Sequence, residues 1–228
     1  MSNVVLVGAT GDIGKSIHEC LKDKNLVTFS NRNTPDLKST HHYLDLSEPF
    51  KESIIEDCLN GLNTIDTLIF TPGEALFELI QDTSLDQVDR QYNVSVRALI
   101  TFIKALLPKL RQSESASIIV ISSVWGTYGA SMESIYSTFK GAQETLVKSL
   151  AKELAPSNIT VNAVAPGVVR GKMTLKLNEE DIEMMLEDLP QGRLIEPEEV
   201  ASAVEYLISD NARSITGEVL KINGGWYT

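Results

Sequence analysis

Tyr136 and Lys140 stand four residues apart in the stretch "IYSTFK". On a helix that spacing puts a phenol and an ammonium on one face, within reach of each other. A phenol has a reference pKa near ~10, which burial raises, whereas a neighbouring cation favours the phenolate and opposes the rise. The pair is therefore either a proton donor beside its own tuner or one more turn of an ordinary amphipathic helix, where such pairs are common. Shortly upstream, the apolar run "ASIIVIS" ends in Ser122, and Ser123 follows it. That places two hydroxyls at the carboxyl edge of a strand, where a parallel sheet binds ligands.

A second cluster stands at the N-terminus. "GATGDIG" places Gly8, Gly11 and Gly14 directly after the apolar run "NVVLVG" and ahead of a helical pattern. Glycines there let the chain turn tightly, approach a diphosphate closely and aim free N–H groups at it. A plain glycine-rich turn is the bland alternative, and the strand-turn-helix context favours a dinucleotide. After the next apolar run come Ser30, Asn31 and Arg32, with no carboxylate. A free ribose 2′-hydroxyl usually meets an acidic residue at this place, whereas a 2′-phosphate needs a cation. Arg32 thus favours NADP(H) over NAD(H), through charge-assisted bonds to phosphate. A solvated loop arginine is the alternative. Asp45 in "LDL" could accept from an adenine amino group, or cap a helix beginning near Pro49.

The elements that must position these residues follow from hydrophobic pattern. Short β-branched runs at 3–8, 25–30, 65–71, 116–122 and 159–165 read as strands buried on both faces, with shorter ones at 42–46 and 217–222. Helical patterns lie between them at about 12–24, 48–60, 84–111, 133–155 and 197–209, the last opening on Pro197 and acidic residues suited to a first turn. This alternation predicts an α/β fold: a single-domain, Rossmann-like, doubly wound parallel sheet over residues 1–228, with helices on both faces. Ligands bind such sheets at the carboxyl ends of the strands, where the glycine turn, Ser122 and Ser123 fall. Only residues 171–196 break the rhythm, with an acidic helical segment that carries Met184 and Met185.

With 228 residues, 43% of them hydrophobic and 22% charged, the chain has the balance of one globular core. A net charge of -11 argues against nucleic acid and against an anionic membrane surface. An anionic ligand would need local donors such as a helix N-terminus or an isolated arginine. Cys20 and Cys58 read as two buried thiols of a reducing compartment. No export signal or membrane-length apolar run is read, so a cytoplasmic location is expected. His18, His41 and His42 match no metal spacing, the pair "HH" reads as surface, and no metal is assigned.

Taken in order, the glycine turn, Asn93 in "QYNVSV", Ser123 in "SSVWG", Tyr136-x-x-x-Lys140, "VNAVAPG" and "GRLIEPEEV…SITGEVLKINGG" resemble the short-chain dehydrogenase/reductase family over nearly the whole chain. The type most similar is 3-oxoacyl-carrier-protein reductase. The resemblance implies that Tyr136 is the general acid in carbonyl reduction and that Lys140 favours its phenolate and bonds the nicotinamide ribose. It implies that Ser123, rather than Ser122, holds the substrate oxygen, and that Asn93 holds a water relaying protons to Lys140. Gly8, Thr10, Gly11, Asp12, Ile13 and Gly14 would form the diphosphate turn. Asn31, Arg32, Asp45, Leu46, Thr71, Pro72 and Gly73 would line the adenosine side. Pro166, Gly167 and Val169 would shape the nicotinamide pocket. A small carbonyl or alcohol substrate, a lid at about 171–190 that could place Met184 and Met185 on an apolar substrate, and a homodimer or homotetramer are further implications. Phe139, Ala142 and Leu146 could supply the subunit stripe.

Three places depart from the family pattern. Asp12 stands where a glycine is usual, "FTPG" (Phe70 to Gly73) replaces Asn-Asn-Ala-Gly, and Gly171 replaces a threonine that bonds the carboxamide in the family. The turn geometry and the contacts of Pro72, which has no N–H, should therefore differ, and the loop at Gly171 should be looser. Two other readings remain: an NAD(H)-linked alcohol dehydrogenase on the same scaffold, and a dinucleotide-binding sensor without catalysis.

Overall fold

The computed structural model describes residues 2–32, 39–172, 174 and 179–228. Seven strands form one sheet: β1 (Asn3–Val7), β2 (Asn25–Ser30), β3 (Thr40–Tyr43), β4 (Thr67–Phe70), β5 (Ala116–Ile121), β6 (Ile159–Pro166) and β7 (Val219–Ile222). Their order is β3-β2-β1-β4-β5-β6-β7 and every neighbouring pair is parallel. The order reverses between β1 and β4, so the crevice of a doubly wound sheet must open above these two strands. The α/β, doubly wound parallel architecture is the expected one.

Alternation along each strand divides the core into two layers. Val5, Val7, Phe29, Phe70, Val120 and Val161 face one side, where Leu99, Phe102 and Leu106 of α4 (Ala98–Leu110) and Val147 of α6 (Ser134–Leu154) cover them. Val4, Leu6, Ile69, Ile119, Ile121 and Val164 face the other side, against Ile17 of α1 (Asp12–Cys20) and Val200 and Val204 of α8 (Pro197–Leu207). The two cysteines end α1 and α2 (Glu52–Cys58), are free and half-buried rather than buried, and pack on opposite layers. Burial pushes the Cys20 thiol up to about 11.

Several elements differ from the pattern-based expectation. The single helix expected over 84–111 is three pieces: α3 (Leu85–Tyr92), a π turn at Asn93–Arg97, and α4. Ser84 and Gln87 close the start with a capping box. A π turn widens the backbone by one residue and has no hydrophobic-pattern signature, because the flanking periodicities merge into one stripe. A five-residue helix, α5 (Val124–Tyr128), follows β5, and α7 (Glu179–Asp188) lies in the acidic segment. His41 and His42 are not surface residues. They lie half-buried in β3, His42 stacked on Phe29 with ring centroids 5.2 Å apart and His41 2.9 Å from the Thr28 hydroxyl.

Phe102 is fully buried, with Phe29, Phe50 and Phe70 around it at ring separations of 5.1, 6.0 and 6.3 Å. It spans the layer between α4 and the strands whose ends carry the crevice. Phe102→Ala should cost about 3–5 kcal/mol, read as a lower urea midpoint at unchanged slope. A variant with the wild-type midpoint would mean that the helix collapses onto the sheet without this ring.

Candidate active site

A cleft of about 520 Å3 opens at the carboxyl ends of β1, β2 and β4. Its floor is the glycine turn. Gly8 has φ +87°, and a methyl group there would lie 2.2 Å from the Thr71 hydroxyl oxygen, so only glycine fits. Thr71, just before Pro72, ties β4 to β1: its N–H and its hydroxyl both donate to the Val7 carbonyl, at 3.0 and 2.9 Å. Gly11 is the N-cap of α1 and offers no side-chain cap, and a methyl group on it would approach only the Gly8 carbonyl, at 3.6 Å. The first turn of α1 therefore presents backbone N–H groups and the positive end of its dipole to the cleft, a donor set that fits a diphosphate.

The chemical end lies at β5. A methyl group on Gly126 of α5 would sit 2.5 Å from Glu144 Oε1, and one on Gly141 of α6 would sit 2.9 Å from the Gly126 carbonyl. The two glycines let α5 and α6 touch backbone to backbone. Glu144, buried in α6, fixes the contact by accepting from the hydroxyls of Ser122 and Thr127, both at 2.9 Å. Ser122 is thereby committed to structure. Ser123, the N-cap of α5, accepts from the Trp125 N–H at 3.2 Å and hydrogen-bonds the Tyr136 phenol.

Lys140 is only 2% exposed. Its Nζ donates to the Ile121 carbonyl at 2.7 Å and lies 5.7 Å from the centroid of the Tyr136 ring. Burial lowers the amine to about 7, against an upward pull from the Glu144 carboxylate. Tyr136 keeps part of its surface open, yet burial pushes its phenol up to about 12; the bond to Ser123 acts downward and the Glu133 carboxylate upward. Burial thus wins over the lowering expected from a neighbouring cation. The phenol holds its proton, as a donor must. Gly73 joins the two ends: a methyl group there would be 3.0 Å from Lys140 Nζ and 3.9 Å from the Tyr136 ring.

Of the residues expected around a cofactor, Gly8, Thr10, Gly11 and Asp12 line the cleft, as do Asn31, Arg32, Asp45, Leu46, Thr71, Pro72 and Gly73. Ile13, Gly14, Tyr136, Lys140, Pro166, Gly167 and Val169 are not among its lining residues. Gly14 serves packing, since a methyl group on it would be 2.2 Å from the Gly8 carbonyl, and Ile13 joins the layer under α8. Pro166 ends β6, the Gly167 N–H donates to the Ile222 carbonyl, and Val169 bridges to Ile195. Asn93 opens the π turn and donates to the Ser47 carbonyl at 2.9 Å. Asp45 is exposed; its carboxylate accepts the Ser47 N–H at 2.9 Å, which holds it below its usual range, and it caps that turn rather than α2, whose N-cap is Lys51. The loop after β6 is not loose at its start, because the Lys172 N–H donates to Asp12 Oδ2 at 2.7 Å. Part of the lid expected over 171–190, residue 173 and residues 175–178, lies outside the described residues; Met184 is 60% exposed. Pattern reading missed Glu144, Lys172 and Glu74, the last lining the cleft in a two-pronged ion pair with Arg90.

A family model described as enoyl-(acyl carrier protein) reductase matches residues 39–227. YmfI of Bacillus subtilis, an uncharacterized oxidoreductase, is 36% identical over 236 residues, 98% of each chain. The chain belongs to the short-chain dehydrogenase/reductase family. Another relative, the 3-oxoacyl-(acyl-carrier-protein) reductase FabG of Aquifex aeolicus, is 34% identical over 229 residues, 99% of this chain and 88% of its own. Among solved structures, the ligand-free aldohexose dehydrogenase of Thermoplasma acidophilum superposes with a TM-score of 0.92 at 28% identity, covering 99% of this chain and 93% of that one. A glucose/ribitol dehydrogenase of the family from Brucella melitensis gives 0.90 at 27%, covering 100% and 97%. As a family member the chain is an NAD(P)-dependent dehydrogenase/reductase acting on small molecules.

The buried Lys140 sets a pH test of this short-chain dehydrogenase/reductase. Between about 7, its folded value, and the ordinary 10.5, the unfolded chain binds a proton at this amine that the folded chain does not. Wild-type stability should therefore rise with pH across that window, and the penalty should be full below about pH 7. Lys140→Met should melt several degrees above wild type at pH 6, since about 1 kcal/mol moves a domain of this size by ~2–4 °C. The gap should close toward pH 10.5. A gap that does not vary with pH would show that the amine is not desolvated.

Proposed function

We propose that the chain reduces a ketone or 3-oxoacyl group to the alcohol, with NADP(H) as the hydride carrier and Tyr136 as the proton donor. The observation that carries this reading is that Lys140 and Tyr136 lie against Gly73, a residue of a cleft of about 520 Å3, with Ser123 beside the phenol. When bound, the nicotinamide supplies the hydride; the chain supplies proton, position and field. The Ser123 hydroxyl donates to the substrate oxygen and stabilises its growing negative charge. The Tyr136 hydroxyl gives its proton to that oxygen, which as an alkoxide is a stronger base than the phenolate left behind. Lys140, titrating near 7, returns a proton to Tyr136 Oη at neutral pH and recovers its own through a water held by Asn93.

The similarity to 3-oxoacyl reductases supports the substrate class. Arg32 at the cleft wall, beyond the end of β2, supports the 2′-phosphate. Tyr92 and Ile100 are exposed on the helical face where Phe139 packs on Tyr92, which supports subunit pairing through α3, α4 and α6. Among the described residues no helix is long and apolar enough to cross a membrane, and we place the enzyme in the cytoplasm.

Tyr136→Phe should bind NADPH within about threefold of wild type. Its turnover of acetoacetyl thioesters should fall by about a hundredfold to ten-thousandfold, the worth of a positioned general acid. Substantial turnover by this variant would remove the mechanism. Arg32→Ala should weaken NADPH about tenfold, one charge-assisted contact, and leave NADH within about threefold. Equal losses for both dinucleotides would assign the cofactor preference elsewhere.

A further inference from the structure

Asp12 is an odd neighbour for a diphosphate. It is the first residue of α1, directly after the glycine turn, and it lines the cleft. A carboxylate there is stabilised by the helix dipole but repels any phosphate drawn to the same N–H groups. The cleft is acidic elsewhere too: Asp45 and Glu74 line it, and its only cations among the described residues are Arg32 and Lys172. Arg32 stands beyond the end of β2.

The Asp12 carboxylate is also a contact surface. Its Oδ2 accepts the Lys172 N–H at 2.7 Å, and the residue before, Gly171, lies so close that a methyl group on it would sit 2.5 Å from Oδ2 and 3.1 Å from Cγ. Only a residue without a side chain allows this approach. The contact joins chain positions 160 residues apart and brings Lys172 to the wall that holds Gly8, Thr10 and Gly11. Among the described residues no carboxylate lies within ion-pair distance of Lys172, whereas the nearby Arg170 is paired with Glu196 at 2.8 Å.

We propose that Lys172 is a ligand of the cofactor's diphosphate, and that Asp12 and Gly171 form the paired contact that positions it there. Asp12 acts through its bond to the Lys172 backbone, so it is a positioning residue. The ammonium that this bond holds at the cleft offsets the charge that Asp12 introduces. The inference rests on the dinucleotide reading and is independent of the choice between NADPH and NADH.

The test is a fluorescence titration of the full chain with whichever of the two dinucleotides wild type binds more tightly, at 50 and 300 mM salt. Lys172→Met should bind about tenfold more weakly at the lower salt, with a smaller gap at the higher one, because screening weakens the wild-type contact more. Lys172→Arg should stay within about threefold of wild type. Gly171→Ala, which displaces the Asp12 carboxylate from the Lys172 backbone, should lose about tenfold, and in that chain Lys172→Met should cost less than about threefold more. An unchanged affinity in Lys172→Met, or a loss equal at both salts, would overturn the role of Lys172. A further tenfold loss from Lys172→Met in the Gly171→Ala chain would overturn the positioning by Asp12. If wild type binds neither dinucleotide, the cofactor reading falls first and this inference with it.

Discussion

The site depends on an amine that water barely reaches. Taking a lysine to 2% exposure disfavours its charge, and the fold accepts this by giving Nζ one carbonyl, that of Ile121, and a carboxylate one helical turn away. Every close approach around it follows. Gly73 must lack a side chain because Lys140 lies against it, and Gly126 and Gly141 must lack one so that α5 can lie on α6. Glu144 then has two hydroxyls to accept from, those of Ser122, just before Ser123, and of Thr127 in the helix that Ser123 caps. Burial acts on the two groups in opposite senses, lowering the amine and raising the phenol, so each is driven toward its neutral form.

The parallel sheet explains why these groups can meet at all. β1, β4 and β5 end at the same edge, so Gly8, Thr71, Gly73 and Ser123 arrive on one rim although more than a hundred residues separate the first from the last. The strand-order reversal between β1 and β4 keeps that rim from being closed by a crossover. An acidic chain with a net charge of -11 can then hold an anion only through short-range donors. The uncapped start of α1 supplies them.

Much of this was legible in the sequence because it is periodic or local. Runs such as "ASIIVIS" and "ITVNAVA" could only be strands buried on both faces, and Tyr136 and Lys140 could be placed on one helical face by counting. The π turn at Asn93 was not legible, since adding one residue between two amphipathic helices leaves the apolar stripe almost unbroken. Glu144 looked like one more charged residue of α6, and only the packing of α5 turns it into a buried acceptor. The backbone pairing of Gly167 with β7 and of Val169 with Ile195 was likewise not legible, since it joins segments distant in the chain.

The departures from the family pattern are the harder lesson, because one at a time each reads as a loss. An aspartate for a glycine at position 12 adds negative charge beside a phosphate site, and a glycine for a threonine at position 171 removes a side chain from a loop. In three dimensions the two are a single exchange: the bulk missing at 171 is present at 12, and the Asp12 carboxylate reaches the Lys172 backbone within a space that a threonine would have filled. The same holds for "FTPG", where the donor lost at Pro72 sits beside a threonine that bonds the neighbouring strand twice. A substitution pattern that is unfavourable position by position can be neutral contact by contact, since the free energy belongs to the contact and not to either residue.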